Sequence, residues 1–170
     1  MTNWTIREER PGDEAAIHRV TEIAFANHPH SDGTEPAIIE ILRATGELTL
    51  SLVAEIDGQI VGHVAFSPAL LSNGEQGWQT LGPISVHPDW QAHGIGRALL
   101  ETGAAHWREA GAKGVVLLGS PDLYARFGFV TDSPLTIEGP LARYFQVLAF
   151  TDAVPAASVD FAPAFSEAGR

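Results

Sequence analysis

The stretch from Gln79 to Leu118 constrains the fold more than any other part of this 170-residue chain. It opens with a strand-like run, Gln79 to His87, that is stopped by Pro88. A short loop holding Gly94 and Gly96 leads into the longest helical pattern in the sequence, between Ala92 and Gly111, with Leu100, Ala104, Trp107 and Ala110 on one stripe. Val115-Val116-Leu117-Leu118 follows, short, β-rich and apolar throughout, as a strand buried on both faces would be. Strand, helix and buried strand in this order imply a mixed sheet with helices packed on it.

The remaining elements are consistent with one α/β domain. A short strand over Trp4 to Glu8 precedes Pro11-Gly12-Asp13-Glu14, where proline and two acids suit a helix start. Ala16, Val20, Ile23 and Ala24 give that helix its apolar stripe, and it fades near Asn27-His28-Pro29. A second helix is predicted from Glu35 to Ala44, with Ile38, Ile41 and Leu42 inward and Gly46 as its C-cap. From Leu48 the period changes to two, with Leu50, Leu52, Ala54 and Ile56 alternating up to Asp57-Gly58, the strongest hairpin signal in the chain. The strand returns through Ile60 to Phe66. Ser120-Pro121-Asp122 starts a short helix, and a last strand covers Tyr144 to Phe150. Residues 151–170 form a Pro/Ala-rich extension that Phe161 and Phe165 are expected to pin to the body of residues 1–150.

Composition removes whole classes of chemistry. With no cysteine, a disulfide framework, a thiolate zinc site and a cysteine nucleophile are all excluded. Ten Lys and Arg against 21 Asp and Glu give a net charge of -11, a field that repels nucleic acid. No apolar run approaches the roughly 18 residues of a membrane span, and the N-terminus carries no signal-peptide pattern, so a cytoplasmic location is expected.

An anion must therefore be held locally, and the segment Leu81–Leu100 offers the means. A strand ends, glycines follow and a helix begins at once, so backbone N–H groups without intrahelical partners gather at the positive end of a helix dipole. Glycines at 94 and 96 remove the Cβ atoms that would hold a phosphate away. Between Asp89 and Gly114 the charges balance, while the acidic excess lies elsewhere. The competing reading is a glycine-eased turn with no ligand. Other nucleotide cradles fit poorly: a Walker A loop needs a lysine after its second glycine, and a dinucleotide fingerprint wants three glycines early in a βαβ unit.

Gln91-x-x-Gly94-x-Gly96 after a strand ending at Pro88, with Tyr124-Ala125-Arg126-Phe127-Gly128-Phe129 downstream, resembles the GNAT superfamily of acetyl-CoA-dependent N-acetyltransferases. The likeness covers roughly Thr5 to Phe150, and Leu81-Gly82-Pro83-Ile84 and Leu118-Gly119-Ser120-Pro121 are similar to a bacterial subgroup whose acceptors are mostly unassigned. The resemblance implies a single-domain fold with a mixed, mostly antiparallel sheet flanked by helices. It also implies acetyl-CoA as co-substrate and no metal. Backbone groups of Ile84, Ser85 and Val86 would pair with the pantetheine arm, and amides from Gln91, Ala92, His93, Gly94, Ile95, Gly96 and Arg97 would hold the pyrophosphate. Tyr124 would protonate the departing thiolate. Its competing role is packing; Phe127 and Phe129 are expected in the core.

Many such enzymes place a glutamate on the strand before the glycine loop, yet Gln79 to His87 contains no carboxylate. A water relay or a base among His87, His63, Glu35 and His30 must substitute. His28-x-His30-x-Asp32 has the residue types of a metal site, but loop histidines beside proline are usually solvated. The reading is direct transfer of acetyl to a primary amine of a small molecule or peptide, in a ternary complex, by a monomer or homodimer. The alternative is a CoA- or acyl-CoA-binding sensor or partner module without acetyl transfer. Asp13, Glu14, Glu22, Asp32, Glu35 and Glu40 against Arg19 and Arg43 on the first two helices point to a cationic acceptor.

Overall fold

The computed structural model describes residues 4–29 and 31–168. Strands β1 (Thr5–Glu8), β2 (Leu50–Ile56), β3 (Gln59–Pro68), β4 (Leu70–Leu71), β5 (Trp78–Val86), β6 (Gly114–Leu118), β7 (Leu135–Thr136), β8 (Phe145–Ala149) and β9 (Ala157–Asp160) alternate with five helices. These are α1 (Glu14–Phe25), α2 (Glu35–Thr45), α3 (Ile95–Glu109), α4 (Pro121–Tyr124) and α5 (Ala164–Glu167). Six strands form one sheet in the order β1-β2-β3-β5-β6-β8, antiparallel everywhere except between β5 and β6.

Alternation along β2 and β3 divides the core into two layers. Leu52, Ala54, Val64 and Phe66 join Ile95, Leu99 and Leu100 of α3, whereas Val53 and Ala65 join Ile17 of α1 and Ile39 of α2. The helices therefore cover opposite faces. The α3 stripe is rotated from the expected one: Ile95, Leu99, Leu100 and Gly103 are buried, Ala104 and Trp107 only half so, and Ala110 is exposed. Phe66 is the reason, because its ring lies so close that a Cβ on Gly103 would stand 2.4 Å from Cζ. On α1 the buried residues are Ile17, Val20 and Thr21, with Ala16 and Ile23 exposed. Thr21 tolerates burial because its hydroxyl donates to the Ile17 carbonyl at 2.7 Å. Gly46 closes α2 in the left-handed conformation, at φ 80, its N–H reaching the Arg43 and Leu42 carbonyls.

Residues after Phe150 complete a second, three-stranded sheet, β4-β9-β7, by placing β9 between two short strands from earlier in the chain. Val159 and Phe161 pack with Trp78, Val116 and Phe145, and Ala162, Ala164 and Phe165 pack against Ile38 and Leu42 of α2.

Candidate active site

The two parallel strands at the centre of the large sheet separate. β5 pairs with β6 only from Trp78 opposite Gly114 to Thr80 opposite Val116, while on its other edge it stays paired to β3 as far as Val86 opposite Gly62. Leu117 and Leu118 pair with β8 alone among the described residues. The second half of β5 thus presents backbone N–H and C=O groups to a gap, the position an extended ligand fills by adding itself as a strand. A bulge between Val64 and Phe66 in the β3–β5 ladder accompanies the turn away, with Gly82 in β5 at φ 134.

A cavity of about 380 Å³ opens there, bounded by Ile84, Ser85 and Val86 of β5, by Gln91, Gly96, Arg97 and Leu100, and by Leu123, Tyr124, Arg126 and Phe127. Seven of the expected site residues meet in it. Gln91 reaches back to donate to the Val86 carbonyl at 3.2 Å, which ties the loop to the strand. Ala92 takes φ 64, a left-handed backbone that a residue with a Cβ adopts at a cost of roughly 1–3 kcal/mol. His93 holds the Gln91 carbonyl through Nδ1 at 2.8 Å, and Ile95 points its side chain into the core. Ala92, His93 and Gly94 therefore shape the loop and do not line the cavity. Helix α3 starts at Ile95, three residues later than its pattern suggests, with Gly94 at φ 86, no side-chain cap and no acid in its first turn. Its N-terminal amides and dipole are left for a ligand. An adjoining groove shares Arg97 and Arg126 and adds Arg108.

Tyr124 stands on the opposite wall, held by its N–H to the Ser120 carbonyl and by an edge contact with Phe129 at 6.0 Å. The ring lies on Gly119, where a Cβ would be 2.5 Å from Cε2. Burial pushes the phenol above its ordinary pKa, so it stays protonated through neutral pH. Phe129 is in the core as expected, but Phe127 is half-buried, lining the cavity beneath Arg97, whose guanidinium is 5.9 Å from the ring centre.

The three candidate bases among the described residues are not brought together. His87 accepts the Asp89 N–H at 3.1 Å within a turn, and Glu35 accepts from the Ser31 hydroxyl at 2.6 Å. His30 lies outside the described residues. His63 is wholly buried, its Nε2 2.7 Å from Ser51 Oγ, and burial pulls its pKa down to about 4. Asp32 is engaged by the Thr34 amide at 3.1 Å, and no group of three possible metal ligands occurs among the described residues. Arg126 was missed by sequence reasoning, although it sits inside the downstream motif.

A splayed parallel pair, an uncapped glycine-led helix and a buried phenol facing it define an acyltransferase of the kind that takes its acyl group from a nucleotide thioester. Residues 47–131 match the family described as acetyltransferase (GNAT) domain. An E. coli K12 protein, the uncharacterized N-acetyltransferase YhbS, is 38% identical over 125 residues, 73% of this chain and 72% of its own. The crystal structure of a Brucella melitensis GNAT family acetyltransferase in complex with acetyl-CoA is 48% identical and superposes with a TM-score of 0.85, over 95% of this chain and 97% of that one. The structure of E. coli YhbS in complex with CoA gives a TM-score of 0.88 at 32% identity, over 98% and 94%. The chain belongs to the GNAT acetyltransferases.

Proposed function

We propose that this protein transfers acetyl from acetyl-CoA directly to a primary, cationic amine of a small molecule or peptide, in a ternary complex in the cytoplasm, with residues 1–150 as the transferase domain and 151–170 as its extension. The observation that carries the reading is the divergence of β5 from β6 next to the uncapped start of α3. Pantetheine would pair along Ile84, Ser85 and Val86, the pyrophosphate would take the amides from Gln91 to Arg97, and Arg97, Arg108 and Arg126 favour the remaining negative charge. An N–H of β5 aimed at the thioester oxygen would stabilise the tetrahedral intermediate by about 3 kcal/mol. The two relatives with bound acetyl-CoA and CoA support this donor.

The acceptor's charge follows from α1 and α2. Asp13 is taken by Arg7 at 2.8 Å and Glu9 by Arg43 at 3.0 Å, whereas Glu22 and Glu40 flank His18, at 3.9 and 2.7 Å. Glu14, Asp32 and Glu35 add to the excess. CoA release is to be followed with polyamines, aminoglycosides, amino acids and lysine peptides at two ionic strengths. Cations should be preferred, with kcat/KM falling as salt rises. Turnover confined to neutral or acidic amines, or a kcat/KM for a cation that rises with salt, refutes the cationic acceptor; CoA binding without turnover on any amine refutes the transferase.

Gly119→Ala gives a second check. The added methyl must move the Tyr124 ring, and a displacement of about 1 Å can cost up to roughly 10²-fold in rate. We expect kcat to fall with CoA affinity unchanged; an unaltered kcat would show that the ring position is not critical.

A further inference from the structure

The proposed reaction leaves one need without a residue, because β5 carries no carboxylate to take the proton that the amine nitrogen must shed. A chain of hydrogen bonds that runs from the half-buried Arg43 and Glu9 to the buried Ser51 and His63 ends beside this strand. Arg43 donates through Nε and Nη2 to Glu9 at 3.0 Å each, Ser51 Oγ donates to Glu9 Oε1 at 2.6 Å, and Ser51 Oγ lies 2.7 Å from His63 Nε2. Burial pushes the Glu9 carboxyl up, but hydrogen bonds from Arg43 and Ser51 outweigh it and keep the group ionised.

Following the protons along the chain assigns the histidine tautomer. A carboxylate only accepts, so the Ser51 proton goes to Glu9. The serine oxygen must then accept, and the hydrogen between it and His63 belongs to Nε2. Nδ1 is left as a bare acceptor, and it is buried without a hydrogen-bond partner on a side chain that is 0% exposed. His63 is directly opposite Ser85 in the β3–β5 ladder, so the two share a face and are neighbours. Ser85 contributes to the cavity wall, and its hydroxyl, on the α1 side of the sheet, is 3.5 Å from that of Thr21, whose proton is already given to Ile17.

Building on the transferase reading, we propose that His63 is the terminal proton acceptor for the attacking amine, reached through one water held between its Nδ1 and the Ser85 hydroxyl. The neutral amine attacks the thioester carbon, forming C–N as the carbonyl π pair moves to oxygen. The nitrogen, now cationic, passes a proton to the water, which passes one of its own to Nδ1. The oxyanion collapses, C–S breaks, and the thiolate takes the Tyr124 proton. Tyr124 then regains a proton from solvent and His63 returns one through the water. The charges acting on the ring are Glu9, which favours the imidazolium, and Arg43, which opposes it; the neighbouring hydroxyls of Ser51, Ser85 and Thr21 stay neutral. Burial keeps the ring unprotonated down to about pH 4. Its partner is therefore the acidic nitrogen of the intermediate and not a free ammonium.

His63→Gln tests this, since the glutamine amide can still donate to Ser51 while the Nδ1 acceptor is gone. With acetyl-CoA and the best amine of the panel, kcat should drop about 10²-fold or more at unchanged CoA affinity. In ¹⁵N NMR of the full-length wild type, the imidazole signals that His63→Gln removes should report a protonated Nε2 and a bare Nδ1. Ser51→Ala should blur that tautomer and cut kcat at least roughly tenfold, which carries the test should His63→Gln fail to fold. Wild-type turnover in His63→Gln or in Ser51→Ala, or a ring protonated at Nδ1, overturns the proposal. A wild type that acetylates no amine overturns the transferase reading and this proposal with it, whereas an active wild type beside an equally active His63→Gln overturns this one alone.

Discussion

Tyr124→Phe should lower kcat by roughly 10²-fold or more while leaving CoA affinity and folding stability close to wild type. The phenylalanine keeps the edge contact with Phe129 and the seat on Gly119. The hydroxyl has no hydrogen-bond partner in the protein among the described residues, so its removal orphans nothing. What is lost is the proton donor proposed for the departing thiolate. The sign of the pH dependence follows from burial, which holds the phenol above its ordinary pKa of 10.0. Below that range the donor is fully loaded, so the wild-type rate should rise as the amine deprotonates and fall only at pH values above the usual tyrosine range. Thiol release across pH, with calorimetry for CoA, decides the matter; wild-type turnover in the variant would reduce Tyr124 to packing.

Gly96→Val should weaken acetyl-CoA binding by about 10- to 100-fold, the equivalent of losing one charge-assisted hydrogen bond of about 1.5–3 kcal/mol. A Cβ at this position stands 3.7 Å from Val86 Cγ2, an ordinary contact, and φ is not left-handed, so the variant carries no backbone strain and an affinity change at unchanged Tm reports on the ligand. Gly94→Val differs. Its Cβ meets no protein atom within 4 Å, but φ is 86, and a β-branched residue there carries backbone strain of roughly 1–3 kcal/mol. Binding should fall in both variants, with a lowered Tm only in Gly94→Val. Calorimetry showing unchanged CoA affinity in both would remove the cradle.

Local chemistry explains which elements were legible. Asp57-Gly58, Gly46 and Ser120-Pro121 each specify a backbone conformation within a few residues, and the hairpin, the C-cap and the start of α4 fall where those residues predict. The glycine loop was legible for the same reason. Long-range fit was not: a stripe on α3 turned by one position depends on Phe66, 37 positions before Gly103, and nothing in residues 95–109 announces it. β4 and β7 went unseen because two-residue strands have too few positions to show a period, and β9 because it sits in a Pro/Ala-rich stretch that reads as an irregular extension. The chain from Arg43 to His63 spans four separate segments whose meeting only the sheet register creates.

The small sheet sets the order in which the chain can finish folding. β9 lies between β4 and β7, so residues 70–71 and 135–136 acquire their shared neighbour only after residue 160 has been synthesised. The large sheet, by contrast, is complete in sequence at Ala149. On a ribosome, the splayed strands and the glycine loop emerge while the flank of α2 that Ala162 and Ala164 cover is still bare. Vectorial synthesis therefore completes the large sheet first and covers the apolar side of α2 last, an interval in which that bare surface is open to aggregation.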